Sequence, residues 1–169
     1  VSTDATHANL AAALRDPQAT FWVDIDKPED EDYAVLDDVF GFHPLAIEDS
    51  INRSQRPKIE SYNHFGDACH QGYFYMVIHG VNPAEAEARG KIDTQELDLF
   101  VSERYLLTIH DEAMPAVEYM KARARTDPHV VLDPGIDMLL YRILDRLIDA
   151  YQPILDDMQD QLDELEEEA

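Results

Sequence analysis

The chain has 169 residues, 45% of them hydrophobic, which is enough for one compact domain with a buried core plus an extended appendage. Thirty-six acidic residues against thirteen basic ones leave a formal net charge of -23, which repels phosphate backbones, excludes nucleic acid as a partner and favours cations. The single cysteine, Cys69, rules out an internal disulfide and suits a reducing compartment, and the first thirteen residues lack the basic-then-apolar pattern of a signal peptide.

A short helix is predicted around residues 10–14, followed by a turn at Asp16-Pro17. Phe21-Trp22-Val23-Asp24-Ile25 reads as a strand, ended by Lys27-Pro28. The acidic run at 29–32 suits the positive end of a helix dipole. Tyr33, Leu36 and Phe40 give that helix an apolar stripe, and Gly41 stops it. His43-Pro44 opens a second short helix running to about Asn52, with Ile47 and Ile51 expected on its buried face. Strands are predicted at 58–62 and 73–81, with a surface turn at 83–90 between the second of these and the next. A hairpin follows, 96–101 and 105–110 around Ser102-Glu103-Arg104, and then a helix over 113–125 ended by Asp127-Pro128.

The last segment differs. Asp133 is expected to cap a helix with Pro134 in its first turn. Beyond it, Leu140, Leu144, Leu147, Tyr151, Ile154, Met158, Leu162 and Leu165 recur at three- and four-residue steps, a heptad-like seam. About 34 residues at ~1.5 Å each make a rod of roughly 50 Å, kinked at Pro153 and with no stop signal before Ala169. The expected organisation is an α/β domain over 1–132, a mixed sheet layered with helices, and the start of a long, truncated helix over 133–169. No apolar run approaches the about 20 residues of a membrane helix.

No nucleophile elbow, Walker loop, dinucleotide fingerprint or zinc-finger cysteine pair is present, and nothing marks a catalytic cleft. Three polar clusters remain. Glu48-Asp49 lie on the helix after His43-Pro44. Adjacent helical residues point about 100° apart, so the pair suits two neighbouring ions, or one ion and a facing subunit. Asp145 and Asp149 share one face of the long helix, extended by Asp156, Asp160 and Asp163. His64, Asp67, Cys69 and His70 have donors for zinc but no strong zinc spacing. The remaining histidines, His110 among them, read as structural or surface. Each acidic group also has a plain reading as the solvated side of a helix, and the overall acidity fits adaptation to high salt.

Phe42-His43-Pro44-Leu45-Ala46-Ile47-Glu48-Asp49, followed by Gln55-Arg56-Pro57-Lys58-Ile59-Glu60, closely resembles the paired signature segments of CorA-type magnesium/cobalt transporters. So do Trp22-Val23-Asp24-Ile25, Leu139-Leu140-Tyr141-Arg142-Ile143-Leu144-Asp145 and Asp149-Ala150-Tyr151-Gln152-Pro153-Ile154-Leu155, in the family's order along nearly the whole chain.

The resemblance implies an α/β/α cytoplasmic funnel domain, a long stalk helix, two membrane helices, a Gly-Met-Asn motif at the pore mouth and a homopentamer in the cell membrane. This chain contains neither that motif nor a membrane segment. The resemblance further implies that Mg2+, or Co2+, sits between neighbouring cytoplasmic domains and holds the channel closed. By motif, Asp49 matches the principal ligand of one such site and Glu48 and Asp145 match ligands of a second. The carboxylate facing Asp49 would lie beyond Ala169, and the isolated chain is expected to be a monomer or weak oligomer. A zinc-transporting branch of the family and a soluble acidic adaptor docking a partner through the long helix stay open as alternatives. So does a metal-dependent enzyme using His64, Cys69 and His70.

Overall fold

The computed structural model describes residues 6–53, 55–63, 72–84 and 92–167, built around a mixed sheet of five strands. In chain order these residues form α1 (His7–Arg15), β1 (Phe21–Asp26), α2 (Asp30–Asp38), α3 (Pro44–Ile51), β2 (Lys58–Tyr62), β3 (Tyr73–Val81), β4 (Thr94–Val101) and β5 (Tyr105–His110). Then come α4 (Pro115–Thr126), α5 (Pro128–Leu132), α6 (Ile136–Asp149) and α7 (Gln152–Glu167). The strand order is β1-β5-β4-β3-β2, with β1 parallel to β5 and the other neighbours antiparallel.

Alternation along the strands sorts the side chains onto two faces. Tyr73, Tyr75, Val77, Phe100, Tyr105, Leu107 and Ile109 face one core, which α1, α2 and α3 close through Leu10, Leu36 and Ala46, with Phe40 from the turn after α2. Leu97, Leu99, Val101 and Leu106 face the other, closed by α4, α5 and α6 through Val117, Met120, Val131, Leu139 and Ile143. β5 is buried at every position, as a central strand covered on both sides must be. The result is the expected α/β/α layering with a long C-terminal helical segment.

The first core is aromatic. Phe42 stacks on Phe100 with ring centroids 4.2 Å apart and on Phe40 at 5.1 Å. Phe42 reaches this position because Gly41, at φ 61°, turns the chain back after α2. The N–H groups of Gly41 and Phe42 return to the carbonyls of Asp37 and Leu36, each at 3.0 Å.

Several expectations need correction. On α3 the fully buried residues are Ala46 and Ser50; Ile47 packs half-buried against the same core as expected, but Ile51 is exposed. The helix lies close enough to its neighbours that small side chains fit: Ser50 Oγ donates to the Ile47 carbonyl at 2.9 Å, and the Ser50 carbonyl accepts from Tyr33 Oη at 3.2 Å. Asp133 does not cap the long helix. It ends α5, and Gly135 at φ 105° stands at the N-cap of α6, because the reversal between the two helices requires a left-handed residue.

The long helix is two helices. α6 ends at Asp149 and α7 begins at Gln152, with Tyr151 N–H reaching only to the Ile148 carbonyl at 3.0 Å. Pro153 has no N–H to offer the Asp149 carbonyl and its ring crowds it, so the kink expected at this proline is a full interruption of the helix.

The heptad-like seam also divides. Ile136, Leu139, Ile143, Leu147 and Ile154 are buried, Leu140, Leu144 and Tyr151 are half-buried, and Met158, Leu162 and Leu165 are exposed. A second stripe, Tyr141, Ile148, Leu155 and Leu162 at seven-residue steps, is more than half exposed throughout. No described helix is long and apolar enough to cross a membrane. Residues 85–90 of the predicted turn lie outside the described residues.

Phe42→Ala, which empties the centre of the aromatic core, is expected to lower the unfolding free energy by about 3–5 kcal/mol in urea titrations followed by circular dichroism. Leu155→Ala on exposed α7 is expected to change it by less than about 1 kcal/mol in the same assay.

Candidate metal-binding site

The local sequence explains why α3 presents its carboxylates outward. His43 is the N-cap: its Nδ1 accepts from Leu45 N–H at 3.2 Å, and its own N–H donates to Tyr73 Oη at 2.8 Å. Its ring stacks on Tyr62 at 5.0 Å, and Pro44 sets the first turn. With Ala46 and Ser50 turned inward, Glu48 is exposed and Asp49 half-buried. The Glu48 carboxylate makes no hydrogen bond or ion pair with any described residue.

Asp49 is engaged. Its Oδ2 is ion-paired with Lys58 Nζ from β2, which also lies 3.2 Å from Glu60 Oε1. Glu60 accepts from Tyr62 Oη at 2.7 Å, and the Lys58 ammonium stands 5.4 Å from the centroid of the Tyr75 ring. Burial works against the charged lysine, but Asp49 and Glu60 outweigh it and raise the Lys58 pKa above its ordinary value.

Asp145 sits on α6, exposed, as does Asp149 one turn on, and neither pairs with a described residue. α3 belongs to one face of the sheet and α6 to the other. Glu48 and Asp49 are therefore brought together on one helix, while Asp145 is kept apart from them by the sheet. His64, Asp67, Cys69 and His70 lie outside the described residues.

Two buried polar networks escaped the sequence reading. Behind α3, Arg53 Nη1 lies 2.5 Å from Asp98 Oδ2 and Arg53 Nε 3.2 Å from Asp111 Oδ2, while Tyr75 Oη donates to Asp98 Oδ1 at 2.9 Å. Burial pushes Asp98 up to about 7, with Glu96 and Asp111 adding to it against Arg53 and Tyr75. A cavity of about 620 Å³ opens beside this hub, lined in part by His79, Gln95, Glu96 and Glu112. The hub anchors the end of α3 to β4. Its signal was Asp98 itself, a charged residue set among Leu97, Leu99, Phe100 and Val101 in the apolar half of β4.

On the opposite face, Trp22 Nε1 donates to Thr108 Oγ1 at 3.0 Å. The fully buried His110 places Nε2 3.1 Å from Asp24 Oδ1 and Nδ1 2.9 Å from the Glu112 carbonyl. Both acceptors lack a proton, so both ring nitrogens donate and the imidazole is charged. Burial opposes that charge, but Asp24 and the Glu112 carbonyl outweigh it and raise the His110 pKa. Burial also acts to raise Asp24, yet His110, Lys121 and Thr108 hold it below its ordinary value.

Asp24, His110 and Glu118 bring ligand atoms within 4.8 Å of one another, the single such group among the described residues. A cation already fills it: Lys121 Nζ is 2.7 Å from Asp24 Oδ2 and 2.6 Å from Glu118 Oε1. This cluster ties β1, β5 and α4 together.

A family model described as a CorA-like Mg2+ transporter protein matches residues 17–169, and the chain belongs to that family. It is 36% identical over 149 residues to YfjQ of Bacillus subtilis (strain 168), covering 88% of this chain and 42% of that protein. It is 25% identical over 165 residues to the cobalt/magnesium transport protein CorA of Thermotoga maritima, 97% of this chain and 44% of that protein. The solved soluble domain of CorA from Methanocaldococcus jannaschii has the same fold, with a TM-score of 0.65 and 25% identity over 87% of this chain and 54% of that one. The chain thus spans less than half the length of these two curated relatives.

The two buried networks set the pH response of folding. Asp98, moved from 3.8 to about 7, and His110, raised above 6.5, both bind protons more tightly in the folded chain than in the unfolded one. Their stabilisation is complete at low pH and is lost as pH rises, for Asp98 between about 4 and 7 and for His110 from about 6.5 upward. Asp24, held low, acts in the opposite sense, and its contribution is lost only as pH falls below 3.8. Urea unfolding between pH 5 and 8 should show stability declining with pH, and Asp98→Asn should flatten the part below 7. An unchanged slope in that variant would remove Asp98 from the account.

Proposed function

We propose that this member of the CorA-like family is the cation-sensing part of a divalent-cation channel or transporter. In this reading it binds Mg2+ between copies of the chain and so biases a membrane pore. The observation that carries the reading is the outward placement of Glu48 and Asp49 on α3 and Asp145 on α6, on opposite sides of one sheet. A cation that takes ligands from both helices joins two copies. Mg2+ keeps most of its water and takes one or two carboxylates at a time, so such sparse, partly exposed oxygen donors fit it. Co2+ is the second candidate, in line with the name of the Thermotoga maritima relative, and Zn2+ the third.

Bridging ions offset repulsion between like-charged faces, and their loss would bias the assembly toward opening. The exposed stripe of Tyr141, Ile148, Leu155 and Leu162 supports helix-to-helix association in a homopentamer of the whole protein. That protein would sit in the cell membrane with this domain on the cytoplasmic side. The same exposed stripe also suits a soluble acidic adaptor. The reading frame beyond Ala169 separates the two, since two apolar stretches with Gly-Met-Asn belong only to the channel.

Calorimetry at fixed ionic strength is expected to show Asp49→Ala and Asp145→Ala each weakening Mg2+ binding by about tenfold or more. Equal affinities in wild type and variants would sink the residue assignment. In light scattering the chain should be a monomer or weak oligomer without divalent ions and should gain mass when Mg2+ is added.

A further inference from the structure

We infer that Lys58 is a tethered competitor for the cation at Asp49, occupying that carboxylate when the divalent ion is absent and withdrawing to Glu60 when it arrives. This rests on the reading of Asp49 as a metal ligand.

The geometry gives Lys58 two seats. Its ammonium is ion-paired with Asp49 and already lies 3.2 Å from Glu60 Oε1. Glu60 is steadied by Tyr62 Oη at 2.7 Å, and the Tyr75 ring lies 5.4 Å from the ammonium. Losing Asp49 therefore does not leave a stranded charge, which would otherwise forbid the exchange.

The pair is also accessible. The Lys58 and Asp49 side chains are 25% and 26% exposed, so a hydrated ion can reach Asp49 and the lysine stem can swing. The backbone of Lys58 stays fixed by its pairing with Val77, so only the side chain has to move. A lysine suits the role because its ammonium is a point charge on a flexible stem. Arg53, a second cation near α3, is held by Asp98 and Asp111 together and could not leave without exposing a buried carboxylate.

Emptying the site then exchanges one cation for another and does not uncover a bare carboxylate. The divalent ion must displace the ammonium, so the concentration at which it binds is set partly by Lys58.

The test is Mg2+ calorimetry on the 169-residue chain at constant ionic strength. Lys58→Met, which keeps the stem and removes the charge, is expected to tighten binding by about two- to fivefold, the range of a partly exposed ion pair. Arg15→Gln, which removes an exposed charge from α1, should tighten it distinctly less. Lys58→Met combined with Asp49→Asn should bind like Asp49→Asn alone.

If Asp49→Asn weakens binding but Lys58→Met is no tighter than Arg15→Gln, the competitor role is overturned and the Asp49 site survives. If Asp49→Asn changes nothing, both readings fall together. A second measurement on the unmutated chain guards against a misfolded variant. With four lysines in the sequence, the Lys58 Cε–H resonance can be followed by NMR, and it should move during Mg2+ titration with the calorimetric midpoint. A resonance that stays still would equally overturn the inference.

Discussion

The strand β5 has no solvent-facing side, and most of the molecule follows from that. A strand buried on both faces has to be walled by helices on both, and the chain supplies α1 to α3 on one side and α4 to α6 on the other. Polar groups drawn into such a sheet must find partners inside it. Asp98 finds Arg53 and Tyr75 on one face, while Asp24 finds His110, Thr108 and Lys121 on the other. Each network fastens one layer of helices to the sheet. The double wall also decides what the surface can do, because it sets α3, with Glu48 and Asp49, and α6, with Asp145, on opposite faces of the sheet.

The sequence made the regular elements legible where local chemistry decides them. The β-prone run of β3, the His43-Pro44 start of α3 and the Pro153 break are each fixed by residues lying within a few positions of one another. What escaped depends on distant neighbours. Ile51 looks buried from its spacing, but the inward face of α3 is made by Ala46, Ile47 and Ser50, and Ile51 is left exposed. Asp133 looks like a helix cap, but α5 claims it first. Arg53 and Asp98 are 45 residues apart, and Asp24 and His110 are 86 apart, so no spacing rule links them. The outward face of α3 was readable as a pair of carboxylates. That Lys58 holds one of them was not, because the contact depends on how β2 lies beside α3.

Rigid and movable parts are arranged in order. α3 is capped by His43 at one end and followed at the other by Arg53, itself pinned to β4, so the backbone carrying Asp49 is held at both ends, while Lys58 reaches it only through its side chain. α6 is held along Leu139, Ile143 and Leu147, whereas past the 150–151 interruption Ile154 alone is buried among the described side chains of α7. The break at Pro153 therefore separates a helix that belongs to the core from one that projects from it.

α7 carries its acidity in an unusual form. Gln152 donates to Asp156 at 2.6 Å, Gln159 to Asp163 at 2.7 Å and Gln161 to Asp157 at 2.8 Å, each one turn apart. These amides support the helix without cancelling any charge. Seven carboxylates fall within its 16 residues and no lysine or arginine does, a linear density of one charge per about 3.4 Å. That is about the spacing along one strand of a DNA duplex, dense enough to hold a condensed counterion sheath. α7 is thus a short polyelectrolyte with an apolar stripe along its side. A second copy laid along that stripe would draw in further counterions and bind more tightly as salt rises, whereas a basic partner would release part of the sheath and bind more weakly.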